Sequence, residues 1–419
     1  MTPPRASGCP AAPAADELRD IDVFDPDRYL PLPPHQEFAV LRSLAPVHLH
    51  PDPQLPSGHW AVTRHADVSY VARHPELFSS QLAGAQPMEF DEVAASMQRL
   101  MMINQDAPQH SRVRGLVNRG FTPRMVDRLR DRISAECERI VDEALRQGEG
   151  NFVELCAAEL PLVVMAELMG IPREQRHRIY AWSKGVAGEA DPELGGAVGA
   201  REAAEEMVRF AAVLGAERRG CPVDDIVSRL VVPDDKGNQL SEAEFQAFFV
   251  LLAVAGNETT RYSIAGGVQA LVDHPDQWAR LKADPALVPD AAEEIVRWET
   301  PTKVFRRTAV TDLELGGREI RAGDKIVAHL TSANRDEAVF TDPYTFDVGR
   351  NPNPHLGFGG GGPHFCIGRH LALVEVELML RTLLERVDRI EVTGPPQRLR
   401  SYQFNGLTDL PVRLYPLRP

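Results

Sequence analysis

The chain has 419 residues, of which 43% are hydrophobic and 25% are charged, so its composition is that of an ordinary globular protein and excludes a disordered one. Its 46 basic and 60 acidic residues give a net charge of -14. This acidic balance, without basic runs, argues against nucleic acid or an anionic membrane as the main partner. No apolar stretch reaches the roughly 20 residues that a spanning helix needs, and we expect no membrane span.

Residues 1–18 are predicted to form a flexible tail, because they are rich in proline and alanine and lack the apolar region of a secretory signal. The five cysteines are odd in number and widely spaced, which predicts neither a disulfide framework nor a four-cysteine zinc site. They favour a reducing, cytoplasmic location. We expect residues 19–419 to form a single domain, present as a monomer.

Three regions of different periodicity follow the tail. Residues 22–78 mix short β-like runs with proline-rich turns, and the stretch HWAVTRH (59–65) is typical of a strand. Residues 91–273 have helical periodicity. After Pro301 β-like segments return, and a helix over about 367–387 follows an irregular stretch. The pattern predicts an α+β fold that is mainly α-helical, with small β-sheets packed to one side.

One long helix is predicted to start at Ser241, which forms an S-x-x-E capping box with Glu244, and to end before His274. Its apolar stripe gives way in mid-helix to small and polar residues. The stripe and the residues that replace it are Phe245, Phe248, Phe249 and Leu252, then Ala255, Gly256, Asn257, Glu258 and Thr259.

Two interpretations of this change remain open. In the first, another helix packs closely at Ala255 and Gly256, and the hydroxyl of Thr259 bonds to a backbone carbonyl. In the second, a flat ligand lies against the small residues. Glu258 and Thr259 then bring protons to a reactive centre, because burying a carboxylate without a task is costly.

A glycine-rich loop leads to Cys366 in the stretch HLGFGGGGPHFCIGRHLALVEVEL (355–378). A phosphate loop would need a lysine and a serine or threonine after the glycines. A zinc site built from His364, Cys366 and His370 would have poor tetrahedral geometry. A purely structural cysteine leaves four consecutive glycines unexplained. Because backbone amides at a helix start stabilise a thiolate, Cys366 is well suited to serve as an axial ligand of haem iron.

Taken together, these features resemble the cytochrome P450 haem-thiolate monooxygenases of the soluble bacterial type. Four motifs occur in the family's order: AGNETTR (255–261), EEIVR (293–297), FDVGR (346–350) and GPHFCIG (362–368). The resemblance extends from about residue 20 to 417. One extra glycine places Phe358 eight residues before Cys366, with Gly359 where the family has its phenylalanine. This longer loop, together with AGNETTR, resembles actinobacterial members that act on sterols, isoprenoids and branched lipids.

The resemblance implies a bound haem b, with Cys366 as the axial ligand of its iron, and O2 as co-substrate. Its cofactor-binding residues would be His110, Arg114, Ala255, Gly256, Arg307, Phe358, Gly359, His364 and Gly368. The four basic ones among these would hold the two propionates, with Arg306 as an alternative to Arg307, although each alone could equally be a solvated surface residue.

The resemblance also assigns roles to two further groups. Glu258 and Thr259 would be the catalytic pair that relays protons. Glu294 and Arg297 would form a buried structural network with Arg350, whereas the spacing alone is equally typical of an exposed pair worth less than about 1 kcal/mol.

The predicted substrate pocket is apolar, although ordinary core packing could account for each of its members. Those members are Met88, Phe90, Leu100, Phe248, Leu252, Ala255, Val304, Phe305 and Phe404. Residues 184–200, rich in glycine and other small residues, are a candidate lid.

The implied function is the insertion of one oxygen atom from O2 into a C–H or C=C bond of an apolar small molecule, such as a terpenoid, sterol, fatty acid or polyketide, in secondary metabolism. Electrons would come from NAD(P)H through a separate ferredoxin and ferredoxin reductase, because the chain has no CxxC cluster and no length for a reductase domain. Oxidative coupling or ring formation in a biosynthetic pathway is the alternative. A haem sensor or carrier is less favoured, because it has no need of the Glu258–Thr259 pair.

Overall fold

The computed structural model describes Leu18 and residues 20–417, apart from the side chain of Val93. Except for Leu18, the predicted tail lies outside these residues. The helices are α1 (His35–Leu44), α2 (His65–Arg73), α3 (Glu92–Gln98), α4 (Gln109–Val117), α5 (Pro123–Gln147), α6 (Glu159–Leu168), α7 (Arg176–Ala187), α8 (Gly196–Gly220), α9 (Ile226–Val231), α10 (Glu242–Asp273), α11 (Pro275–Ala283), α12 (Val288–Glu299), α13 (Leu330–Ala333) and α14 (Arg369–Arg386).

The strands are short and belong to four sheets. They are β1 (Val47–Asp52), β2 (Leu55–Val62), β3 (Phe78–Ser79), β4 (Glu149–Asn151), β5 (Val304–Ala309), β6 (Leu313–Leu315), β7 (Arg318–Ile320), β8 (Lys325–His329), β9 (Val387–Val392), β10 (Gln397–Arg398), β11 (Leu407–Asp409) and β12 (Pro411–Pro416). The largest sheet has the order β1-β2-β8-β5-β3, and the smaller ones are β4-β12-β9, β10-β11 and β6-β7. In the largest sheet β2 and β8 are parallel, whereas the other neighbours are antiparallel.

Helix α10 is the central element of the helical part. Both halves of its predicted capping box form, between Ser241 and Glu244, and the helix runs for 32 residues, or about 48 Å. It packs against α6, α7, α8, α12 and α14. Because neighbours surround it, Phe245 and Phe249 are fully buried in the largest apolar cluster of the described residues.

The strand predicted over 59–65 is displaced in the structure. It is β2, which ends at Val62, where its parallel pairing with β8 stops. His65 instead begins α2, because the Asp336 carboxylate accepts a hydrogen bond from the His65 amide at 2.8 Å and caps that helix. The sequence signal was correct in type, but a contact between distant residues moved its boundary.

The candidate lid over 184–200 contains the end of α7, a short 3-10 helix (Pro192–Leu194) and the beginning of α8. None of the helices within the described part of the chain is both long and apolar enough to cross a membrane.

Candidate active site

Cys366 lies in the loop that precedes α14, with its side chain exposed. Its own amide donates to the Phe358 carbonyl at 3.0 Å. The amides of Gly368 and Arg369 bond to its sulfur. Crowding by surrounding protein atoms raises the pKa of the Cys366 thiol, while these two amides and the charges of Arg114 and Arg369 oppose that rise. The structure therefore supplies the predicted amide donors, but desolvation outweighs them.

The four glycines before Cys366 all have positive φ angles, between 59° and 97°. A side chain at Gly362 would overlap the carbonyl oxygen of Ala72 in α2, and one at Gly360 would come within 3.0 Å of the Ala72 side chain. Part of the run is glycine because it packs against α2, whereas Gly359 faces Phe305.

The four basic residues assigned to propionates lie close together. The rings of His110 and His364 have centroids 4.2 Å apart. Burial and the charges of Arg307, His110 and Arg114 lower the pKa of His364 to about 2. Burial lowers the pKa of Arg307 to about 10, and among described residues His110 Nε2 has no hydrogen-bond partner. Two arginines beside two neutral imidazoles form a cluster that is rich in hydrogen-bond donors and suits a carboxylate.

A cleft lies between α2, the largest sheet and the glycine loop. Phe305, Arg307, Gly359 and His364 line it. Arg306, considered as an alternative to Arg307, does not: its guanidinium pairs with Glu89 at 2.7 Å. Successive strand residues point to opposite faces, so Phe305 and Arg307 can share the cleft face while Arg306 cannot.

The middle of α10 presents an uncovered face. Ala255 is exposed and Gly256 and Thr259 are partly so, although Asn257 and Glu258 beside them are completely buried. The Thr259 hydroxyl donates to the Ala255 carbonyl at 2.7 Å. The backbone bond of the first interpretation is therefore present, but no helix of residues 20–417 packs over the small residues.

Glu258 points into the protein and is bound on both carboxylate oxygens. The hydroxyl of Ser183 in α7 donates to Oε1 at 2.8 Å. The hydroxyl of Tyr262 donates to Oε2 at 2.6 Å, and Arg261 pairs with the same oxygen. Asn257 also donates to Ser183, at 2.9 Å. The structure thus places Glu258 in a buried network that joins α7 to α10.

These three partners of Glu258 were not predicted from the sequence. Arg261 and Tyr262 are three and four residues further along α10, a spacing that places side chains on one helix face, so this signal could have found them. Ser183 comes from another helix, and no local pattern predicts it.

Glu294 and Arg297 form a bidentate pair at 2.6 and 2.7 Å, with both side chains fully buried. Arg350 Nε donates to the same carboxylate at 3.2 Å. Arg297 also donates to the carbonyls of Asn334 and Pro343. The network therefore fastens the irregular stretch before Cys366 to α12.

The residues of the predicted pocket differ in their burial. Phe305 lines the described cleft, whereas Phe248 and Val304 are buried as core residues. The others that are partly buried are Met88, Phe90, Leu100, Leu252 and Phe404.

The chain is similar to known proteins over most of its length. The family described as cytochrome P450 matches residues 218–404. The steroid C26-monooxygenase of Rhodococcus jostii (strain RHA1) is 43% identical, over 93% of this chain and 84% of its own. The methyl-branched lipid omega-hydroxylase of Mycobacterium bovis is 39% identical, over 98% of this chain and 96% of its own. The solved structure of the Mycobacterium marinum cytochrome P450 CYP268A2 in complex with pseudoionone has a TM-score of 0.89 at 40% identity, covering 94% of this chain and 98% of that one.

The chain belongs to the cytochrome P450 family. It is accordingly a monooxygenase that acts on apolar substrates, and the predicted α+β fold is confirmed. The family implies a thiolate-ligated haem and O2. The residues present fit that group, because an exposed thiol lies close to two arginines and two histidines, and the buried His110 Nε2 has no partner within the described residues.

Proposed function

We propose that this monooxygenase hydroxylates a branched aliphatic end of a steroid or methyl-branched lipid. The named activities of two relatives, a steroid C26-monooxygenase and a methyl-branched lipid omega-hydroxylase, support this substrate class. The observation that carries the chemistry is the exposed Cys366 sulfur with amide donors from Gly368 and Arg369.

Cys366 is the proposed axial ligand. When bound, haem supplies the activation of O2, which no protein side chain provides. His110, Arg114, Arg307 and His364 would bond its propionates, because the two guanidinium groups supply positive charge and the two neutral imidazoles supply N–H donors. Ala255, Gly256, Phe358, Gly359 and Gly368 would lie next to it, on the α10 face and on the cysteine loop.

Proton delivery is proposed for the exposed face of α10. The Thr259 hydroxyl gives its hydrogen to Ala255, and its lone pairs stay available to accept a hydrogen bond from a reacting group or water. Glu258 would exchange protons with Thr259 through such a water. Its buried network keeps the carboxylate at a defined place, which a directional proton transfer requires.

Electrons are proposed to come from NAD(P)H through a ferredoxin reductase and a ferredoxin. Phe365, next to Cys366, is 37% exposed, and the exposed Arg73 donates to the Gly360 carbonyl of the same loop at 3.3 Å. These residues offer an apolar contact and a positive charge to an acidic carrier. We further propose a cytoplasmic monomer in which residues 19–419 act as one domain.

Ligand titration of the purified protein tests the substrate class. Cholesterol and a methyl-branched fatty acid are expected to change the haem spin state, and with a ferredoxin and its reductase to give products oxidised at a terminal methyl group, read by mass spectrometry. Testosterone, which has the ring system without the branched side chain, is the matched control. Equal spin-state responses to testosterone and cholesterol, with products oxidised only on the rings, would contradict the proposal.

A further inference from the structure

Tyr262 connects the Glu258 carboxylate to a turn near the C-terminus, at residues 399–406. Its side chain is fully buried. Its hydroxyl donates to Glu258 Oε2 at 2.6 Å and accepts from Arg261 Nη2 at 2.8 Å. Burial raises the pKa of Tyr262 well above its ordinary value, so the phenol keeps its hydrogen and remains a donor. No other described hydroxyl donates to this oxygen.

The ring of Tyr262 belongs to a small apolar cluster that is separate from the main core. It packs with Ala187, at the end of α7, and Leu399, with Leu194 and Phe404 against them. These residues come from the candidate lid and from the C-terminal turn, which we define as residues 399–406. Two separate segments, the connection between α7 and α8 and the C-terminal turn, therefore meet at the Tyr262 ring.

The C-terminal turn approaches Tyr262 closely enough to constrain it. A side chain at Gly406 would overlap the Tyr262 ring, and the Phe404 ring lies 6.5 Å from it, centroid to centroid. The lid is fastened to the same turn, since Glu189 accepts hydrogen bonds from the Ser401 hydroxyl and the Tyr402 amide, each at 3.1 Å. A shift of the turn or the lid must displace the Tyr262 ring or open a void beside it.

We propose that Tyr262 is a positioning residue for Glu258, through which the C-terminal turn and the lid set the orientation of that carboxylate. Arg261 already supplies the countercharge, and Ser183 binds the other oxygen. The Tyr262 hydroxyl adds a directional hydrogen bond to Oε2. The C-terminal turn fixes the position of this hydroxyl, because it packs against the Tyr262 ring. The proposal rests on the proposed function, because the orientation of Glu258 matters for turnover only if Glu258 delivers protons.

The variant that isolates the hydroxyl is Tyr262→Phe, which keeps the ring packing. Its matched control is Tyr415→Phe, since Tyr415 also donates to a glutamate, Glu391, at 2.7 Å, but on β12. The first readout is the infrared carboxylate band of Glu258, identified by its loss in Glu258→Gln. We expect Tyr262→Phe to shift this band and Tyr415→Phe to leave it in place. An unshifted Glu258 band in Tyr262→Phe would overturn the proposal, whatever the substrate.

The second readout is coupling, the product formed per NAD(P)H oxidised. We expect Tyr262→Phe to lower coupling about 3- to 10-fold and to enlarge the solvent isotope effect, with the reduced-CO spectrum unchanged and the ligand dissociation constant within twofold of wild type. Coupling equal to that of Tyr415→Phe would overturn the proposal. If Glu258→Gln is itself fully coupled, the proton-delivery part of the proposed function fails instead.

Gly406→Ala tests the same contact from the other side, because it moves the ring and keeps the hydroxyl. If Tyr262→Phe does not load haem, Gly406→Ala is measured in its place by the same two readouts. A shifted Glu258 band with lowered coupling supports the proposal, and wild-type values for both overturn it.

Discussion

At the scale of single residues, Thr259 of α10 could have a structural role or a functional one. The hydrogen bond from Thr259 to the Ala255 carbonyl is one that a purely structural threonine also makes. Exposure separates the two roles: Ala255 is open to solvent while Asn257 and Glu258 are buried. A threonine with free lone pairs on an uncovered helix face fits a functional role.

Thr259→Ala tests that role. We expect the variant to load haem and bind substrate normally, because the lost hydroxyl carries no packing of its own. Peroxide should rise several-fold per NAD(P)H oxidised, since proton delivery loses one acceptor. Peroxide and product are measured in the same assay. Thr260→Ala is the control, because Thr260 is buried on another face of α10. Tight coupling in Thr259→Ala would contradict the assignment.

Glu294 illustrates a residue whose role is to hold others. It is fully buried between two guanidinium groups, so Glu294→Gln leaves both without a countercharge. We expect a loss of about 3–5 kcal/mol in the free energy of unfolding, measured by urea denaturation with haem loading followed in parallel. The control, Glu149→Gln, removes an exposed pair with Arg413 and should cost under about 1 kcal/mol. Equal effects of the two changes would exclude a supporting network.

At the scale of elements, the cysteine loop depends on its contact with α2. Gly362 and Gly148 have almost equal φ angles, 74° and 75°, but a side chain at Gly362 would overlap Ala72, whereas one at Gly148 meets nothing. The pair therefore separates backbone strain from steric contact.

We expect Gly148→Ala to cost about 1 kcal/mol from its positive φ, and Gly362→Ala to cost clearly more and to reduce haem loading, because the loop must move away from α2. Thermal unfolding and the haem absorbance per protein measure both. Identical losses in the two variants would mean that the contact with α2 contributes nothing.

The lid has a titratable contact of its own. Burial raises the pKa of Glu189 from 4.5 to about 7. The folded protein then holds this proton more tightly than the unfolded chain, so the associated stability is present below about pH 4.5 and is lost as the pH rises through about 7.

Glu189→Gln imitates the neutral acid. Its free energy of unfolding should therefore rise relative to wild type by roughly 1 kcal/mol between pH 5 and pH 8. This is less than the free energy equivalent to one pKa unit, because the side chain is only partly buried. Unfolding midpoints at the two pH values measure the difference. The nearby Lys303 is electrostatically coupled to Glu189, so the pH dependence of this difference reports the titration of the pair. A difference that is constant with pH would contradict the titration of Glu189.

At the scale of the whole molecule, local signals predicted the elements and motifs, but distant contacts fixed the rest. The cap at Ser241 and the four ordered motifs are readable along the chain. The pairing of Arg306 with Glu89, the bond from Ser183 to Glu258 and the packing of the glycine loop on Ala72 join residues far apart in sequence. No periodicity encodes such contacts, so the local pattern alone could not separate Arg306 from Arg307 or show that the glycine loop packs against α2.

The molecule as a whole is a cytochrome P450 whose proposed chemistry requires sulfur ligation at one position. The reduced-CO difference spectrum of the purified protein, compared with that of Cys366→Ala, tests this most directly. We expect the wild-type absorption band at the long wavelength typical of a thiolate ligand, and its loss in Cys366→Ala. A wild-type spectrum typical of histidine ligation, or a spectrum that survives the substitution, would contradict the account.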